Sequence, residues 1–394
     1  MGAHHARHAA EDGNQLRRIA LSVIAPISVL TLVAMVWLWP AKVAVPDQPG
    51  APKQARGEVI TIERQQCAER LADDVNGCGV ARVLTTVGDG EAQEVTAPLP
   101  NGPGAPRIAE GDDVSIIQSN SPDGAVYAIV DHQRGSGLWV IVTAFVLTLV
   151  AFGRWRGLTA LAGLAVTFGV LLFFVVPAIL AGESPLLVAI VGSAAITLTV
   201  LYLTHGFALS TTVAVLGTLF SLALTGALSA LAVSSLHLTG ITDDISTSLG
   251  STYTVNMEGL LLAGIVIGTL GVLDDVTVTQ AATVVELGRA NPAYGVVQLY
   301  RAGIRVGRSH IASVVNTIIL AYAGSSLPLL ILIIANNNSL GGVVTDQVIA
   351  QEIVRSVIAT LGLIAAVPVT TALAAMTITQ SAAATTASQP EPGE

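Results

Sequence analysis

From Gly137 to Met376 the chain is a series of long, almost uncharged apolar runs joined by short connections. About twenty apolar residues suffice to cross a hydrocarbon core about 30 Å thick as a helix, and inside that core the backbone must satisfy its own hydrogen bonds. The runs Gly137–Phe152, Leu158–Leu180, Pro185–Thr204, Ser210–Val233, Gly259–Leu273 or beyond, Ile311–Ala335 and Val357–Met376 are therefore read as spans. An eighth, Ile19–Trp39, lies near the N-terminus. Composition agrees: 52% hydrophobic residues against 11% charged, with a mean hydropathy of +0.69, lies far from the soluble range.

The first run follows Arg7, Arg17 and Arg18 and resembles a signal peptide. It is longer than a signal core and has no small-residue cleavage site before Pro40, so it reads as a retained anchor. Residues 41–135 are polar. They open on a Pro/Gly-rich linker, PDQPGAPKQARG, and continue as five short strands, GEVITIE, ARVLTTV, AQEVTAP, DDVSIIQS and AVYAIVD, separated by the turn signals GDG, NGPG and SPDG. Five strands of this length suggest a small β-barrel-like domain, or a sandwich. Both cysteines, Cys67 and Cys78, fall here on either side of the helix-prone AERLADDVNG. A close pair in a region placed outside the cell suggests a disulfide, and no metal site is expected with only His132 nearby.

Charge fixes an orientation. Arg154 and Arg156 fall in one short connection and Arg289, Arg301, Arg305 and Arg308 in another, whereas Ala181–Ser184 and Ser234–Asn256 carry no Lys or Arg. The positive-inside rule then puts both termini in the cytoplasm and the β-domain outside. Arg355 is the exception, and Glu352, three residues earlier, is its expected partner. Trp37, Trp39, Trp139 and Trp155 all fall at span ends, as in an aromatic belt. The tail from 378 reads as disordered.

Within the spans, GTLGVLDDVTVTQAATVVE (268–286) puts two adjacent carboxylates into an apolar run that meets no other charge between Glu258 and Glu286. Intramembrane acids are costly and mark function by default. On one continuous helix Asp274 lies roughly 23 Å from the outer edge of the core. Asp275, Thr279, Thr283 and Glu286 then share a face as a polar stripe suited to a hydrated path. The alternative is that the span stops at Leu273 and Asp275 caps a separate cytoplasmic helix. Gln280, Thr277, His205, His310 and Asn316 are further polar candidates at that end. Gly264 and Gly268 form a small-xxx-small pattern that favours close helix packing. In AYAGSSLPLLILI, Gly324, Ser325, Ser326 and Pro328 interrupt an apolar run, as at transporter binding sites or at a simple proline kink.

Other chemistries find little support. Asp243 and Asp244 sit in an outside loop, across the membrane from Asp274 and Asp275, so the pairs cannot share one metal cluster. Walker, HExxH, GxSxG and Gly-x-Gly-Asp sequences are absent. Neither an enzyme nor a cofactor is expected. The net charge of −9 reflects acids in 47–131, and with no basic domain nucleic acid is not an expected partner.

The stretch from GTLGVLDDVTVTQAATVVEL through Asn291–Pro292 to GIRVGRSHIASVVNTIILAYAGSSLPLLILI resembles the YibE/F family of multi-pass bacterial membrane proteins. The likeness places Asp275 on the family's characteristic aspartate, and Asn316, Tyr322, Gly324, Ser325, Ser326 and Pro328 on its NT-to-SSLP signature. Ser309-His310 departs from it where an acid is expected. The resemblance implies a membrane location and this helical architecture, and names no activity. The expectation is a membrane all-α protein: eight transmembrane helices with an extracytoplasmic β-barrel-like domain (41–135) between helices 1 and 2, in the bacterial plasma membrane. It is read as a transporter-like permease for a small solute, ion or envelope component. Asp275 would be its coupling acid, with Asp274, Thr279, Thr283, Glu286, Gln280, Asn316, Ser325 and Ser326 as further path candidates. The other reading is a scaffold whose β-domain binds an envelope protein. Lipid is the partner in either case, with a further copy of the chain as an additional candidate.

Overall fold

The computed structural model describes residues 22–40, 53–67, 75–86, 92–121, 124–242, 244–335 and 345–387. The tail read over 1–18, most of the linker and of AERLADDVNG, Asp243 and the final residues 388–394 lie outside them. Two compact units result, one of residues 45–157 and one of residues 1–44 with 158–394.

The smaller unit carries the five strands: β1 (Lys53–Gln65), β2 (Cys78–Thr86), β3 (Ala92–Pro98), β4 (Asp113–Ser121) and β5 (Gly124–His132). They form one antiparallel sheet of order β3-β2-β1-β4-β5, curled into a half-barrel whose end strands approach each other. Alternation does the work. Val59, Ala81, Val83, Val95, Ala97, Val114 and Ile116 point into the curl while their neighbours face out. One correction concerns the linker: residues 53–57 are strand, paired with β4 from Lys53↔Gln118 to Glu58↔Asp113. At Gly57, shared by the linker and the first expected strand, a Cβ would overlap Val83 and lie 2.9 Å from the Leu84 carbonyl oxygen, so it marks a close approach inside the sheet. Cys67 and Cys78 stand at disulfide distance, their Cα atoms 5.2 Å apart. Nearby, Asn76 donates to the Pro100 and Pro106 carbonyls (2.6 and 2.7 Å) and accepts from the Ile108 N–H (2.8 Å), which ties the β3–β4 connection down. After β5 comes α2 (Gly135–Gly153), none of whose residues is buried. Arg154, in the left-handed region (φ 50°), turns the chain there.

The larger unit is helical: α1 (Ser22–Trp37), α3 (Trp155–Val170), α4 (Val176–Leu180), α5 (Pro185–His205), α6 (Leu209–Ser235), α7 (Asp244–Tyr253), α8 (Met257–Ala290), α9 (Val296–Ser325), α10 (Leu327–Ala335) and α11 (Gln347–Ala387). A π-helical turn, Leu171–Val175, joins α3 to α4 just ahead of Pro177, whose ring cannot accept the regular hydrogen-bond pattern. The centre is α6, α8 and α11 packed on one another, flanked by α5 and α9. Glycines permit the closeness. A Cβ on Gly303 of α9 would lie 2.8 Å from methyls of both Thr371 and Val284.

Among the described residues six helices are long and apolar enough to cross a membrane: Gly135–Gly153, Trp155–Leu180, Pro185–His205, Leu209–Ser235, Met257–Ala290 and Gln347–Thr379. The other two expected spans take different forms. The first corresponds to the shorter helix α1, and Ile311–Ala335 is divided between α9 and α10 at Ser326. The arginines expected in a connection, Arg289, Arg301, Arg305 and Arg308, instead lie on α8 and α9, joined through Asn291–Pro292. The loop 234–256 contains α7, which sequence patterning did not indicate, and α11 runs on to Ala387, into the tail read as disordered.

Candidate functional site

α8 is one unbroken helix of 34 residues, capped at its start by Asn256, whose Oδ1 accepts from the Gly259 N–H at 2.9 Å. Neither aspartate therefore caps a separate helix. Adjacent helical residues point about 100° apart, so the pair divides between two environments. Asp274 is half-buried and faces α5 and α6. Thr197 of α5 approaches Asp274 Oδ1 at 3.5 Å, and Thr218 of α6 lies on the same side of the carboxylate. Thr277, one turn on, shares a 2.7 Å bond with Thr218 and sits 3.2 Å from the Asp274 backbone carbonyl oxygen. Asp275 is exposed.

The expected stripe follows Asp275 outward: Thr279 and Glu286 are exposed and Thr283 half-buried. Thr283 donates to the Thr279 carbonyl at 2.7 Å, and Glu286 pairs with Arg289. Gly264 and Gly268 also lie on the exposed side of α8; only the Tyr322 hydroxyl comes near the latter, 3.2 Å from where a Cβ would be. Asn316 and Ser325 are exposed on α9, Ser325 donating to the Tyr322 carbonyl, and Ser326 is half-buried at the break. His205 bonds Thr204 at the end of α5 and His310 is half-buried. Gln280, by contrast, is inside. Its Nε2 donates to the Gly303 carbonyl (3.0 Å) and to Thr371 Oγ1 (2.7 Å), linking α8, α9 and α11.

Around Asp274 the bundle carries polarity that the sequence reading missed. Ser193, Thr197, Thr218, Ser221, Thr225, Ser229, Thr370 and Thr371 are all fully buried. The hydroxyls of Ser193, Ser221, Thr225 and Thr370 and the Gln351 Nε2 have no hydrogen-bond partner among the described residues. Helix contacts order them. Gly217 packs on Thr370 and Thr277, level with Asp274, and Gly362 packs on Thr225 nearer the other end. Two turns beyond Gly362 comes the Glu352–Arg355 ion pair, 2.8 Å long and half-buried. From Gln351 to Thr371 this column extends about 30 Å along α11, the thickness of a hydrocarbon core. Beside that end, a cavity of about 770 Å³ is lined by His237, Thr239, Asn256 and Glu258, among others. Spacing was the available signal: Thr211, Thr218, Thr225 and Ser229 recur on one face of α6, and Ser193 and Thr197 are one turn apart on α5.

The family model for YibE/F-like proteins matches residues 141–380. The chain belongs to the YibE/F-like family. The match runs from within α2 into α11, so the family's shared part contains the helical column, and the half-barrel lies outside it. Together with the six apolar helices this makes the chain an integral membrane protein. No curated protein and no solved structure matches it.

Proposed function

We propose that this protein is a permease of the bacterial plasma membrane that passes a small solute or ion along the buried polar column centred on Asp274. In this reading α1 and the α9–α10 pair join the six long helices to make eight spans, both termini are cytoplasmic, and the half-barrel is extracytoplasmic. The orientation rests on Arg154, Arg156, Arg289, Arg301, Arg305 and Arg308 sorting to one side. In support of α1 as a span, Ile24 packs with Leu201 and Val284 while Leu38 packs with Phe174 and Val255, near opposite ends of the bundle. No catalytic chemistry is assigned.

The observation that carries the proposal is the run of four fully buried hydroxyls without partners among the described residues, on either side of a carboxylate. Burying one such group unpaired costs about 1–3 kcal/mol, and helices that merely anchor a domain gain nothing for it. Water or a permeating polar species would satisfy them. Single cysteines at Ser193, Ser221, Thr225 and Thr370 test this, because the two native cysteines are paired with each other. Small water-soluble thiol reagents should modify Ser221→Cys and Thr370→Cys, and should leave Leu222→Cys, on the apolar core of α6, untouched. If all four column positions resist while Gly153→Cys at the end of α2 reacts, the permease reading fails and the scaffold with an envelope-binding half-barrel takes its place.

A further inference from the structure

We infer that Asp274, Thr197 and Thr218 form a binding site for a dehydrated sodium ion within the column. The inference rests on the permease reading for its purpose, and on the following geometry for its identity. Asp274 is the carboxylate turned toward the bundle interior, and no Lys or Arg occurs on α5, on α6, or on α8 before Arg289. The nearest basic residue on α11 is Arg355, about 22 Å from the level of Thr370 and already paired with Glu352. A carboxylate so placed requires a counter-charge, either a proton or a cation.

The oxygens around it favour the cation. At 3.5 Å, Thr197 Oγ1 and Asp274 Oδ1 stand farther apart than a good O–H···O bond. Ions of calcium size hold oxygens at about 2.3–2.6 Å, and adjacent ligands at right angles around such an ion lie about 3.3–3.7 Å apart. Sodium has nearly the same radius. Thr218 adds a second, fully buried hydroxyl from α6, 2.7 Å from Thr277 and so within one turn of Asp274 along α8, and Ser193 and Ser221, each one turn from Thr197 and Thr218, bring buried oxygens that have no partner among the described residues. Hydroxyls can act as ligands through their lone pairs while donating their protons to helix carbonyls. Charge then selects the ion. One carboxylate with neutral hydroxyls balances a single positive charge, and among the described residues no three His, Cys, Asp or Glu side chains cluster as a multivalent ion would want.

The test is equilibrium binding of radioactive sodium to the purified protein in detergent, together with the sodium-dependent rise in its unfolding temperature, choline keeping ionic strength constant. Saturable binding is expected in the wild type and in Asp275→Asn, and none in Asp274→Asn. Thr197→Val, which keeps the shape and removes a ligand, should weaken binding about tenfold, and Thr197→Ser should restore it. The Thr197 pair decides the matter if Asp274→Asn does not fold. A wild type that binds no sodium, or Asp274→Asn and Thr197→Val variants that bind it as well as wild type, overturns the site. Cysteine labelling of the column in choline alone separates the two readings: accessible positions without sodium binding retire only the ion, and sodium binding with an unreactive column retires only the permease.

Discussion

Adding one methyl at Gly362 should destabilise the bundle, and trimming Thr225 across the interface to alanine should repair it. A Cβ at Gly362 would overlap Thr225 Oγ1, while its next neighbours, Thr225 Cβ and the Ser221 carbonyl oxygen, lie at an ordinary 3.4 and 3.9 Å. Thr225 is fully buried and β-branched, so it cannot swing its hydroxyl into open space. Overpacking of this kind costs about 1–3 kcal/mol. Thr225→Ala alone deletes a hydroxyl with no partner among the described residues together with a buried γ-methyl, and should cost about 1 kcal/mol. In the double variant the clash is gone, so most of the Gly362→Ala loss should return, a coupling of about 1–2 kcal/mol in favour of the pair. Thermal unfolding of the four proteins in detergent measures it. If the two effects add to within about 0.5 kcal/mol, α6 and α11 do not meet at this point and the order of the column is wrong.

Reducing the Cys67–Cys78 pair should destabilise the half-barrel by about 3 kcal/mol, the loop-closure value for a separation of 11 residues. Non-reducing mass spectrometry checks the bridge directly, and both thiols alkylating without reductant would remove it. Cysteine substitution at Ser184 should label only from the extracytoplasmic side, and at Gly153 and Ala290 only from the cytoplasm; one position on the wrong face retires the eight-span map. The Arg134 guanidinium, bound to both Asp131 oxygens at 2.6 and 2.8 Å, and after it the His132 N–H, hold the Asp131 carboxyl below its usual range. A lowered native pKa adds stability above the unfolded value of about 3.9 and loses it as pH falls through the native value. The stability difference between wild type and Asp131→Asn should therefore shrink in acid and in high salt; a difference constant with pH refutes the pairing.

The strands were legible because water supplies a reference. In AQEVTAP the buried Val95 and Ala97 alternate with exposed Glu94 and Thr96, and one face of the sheet is wet, so alternation states which side is the core, while in GEVITIE a bulge between Val59 and Thr61 shifts the pattern. The start of β1 at Lys53 and the close approach at Gly57 escaped because they are set by β4 and by Val83 on the neighbouring strands. Span positions were legible for a similar reason, since length and charge separate lipid from water. Helix ends were less so: Arg289 and Arg301 signal the interface, yet α8 and α9 remain helical through it because Asn291–Pro292 is the first residue pair that stops them.

The side of α8 that faces inward has no such reference, because lipid is as apolar as the packed interior. Sequence geometry correctly joins Asp275, Thr279, Thr283 and Glu286 on one face, but nothing in that spacing says which way the face looks. The decision is made by partners on other helices. α6 brings Thr218 against Thr277, and α9 brings Gly303 against Gln280, so the face carrying Leu273, Thr277, Gln280 and Val284 is drawn in, and Asp274 turns toward Thr197. Small hydroxyl residues are what reveal this in a sequence. Leu and Val serve equally well against lipid or a neighbour, whereas a Ser or Thr stripe such as Thr211, Thr218, Thr225 and Ser229 has no use toward hydrocarbon and is tolerated where helices approach closely. For a bundle of this kind the inward face is therefore better sought from hydroxyl spacing than from hydrophobic periodicity, and an acid is better judged by whether such a stripe lies opposite it than by its own neighbours in the chain.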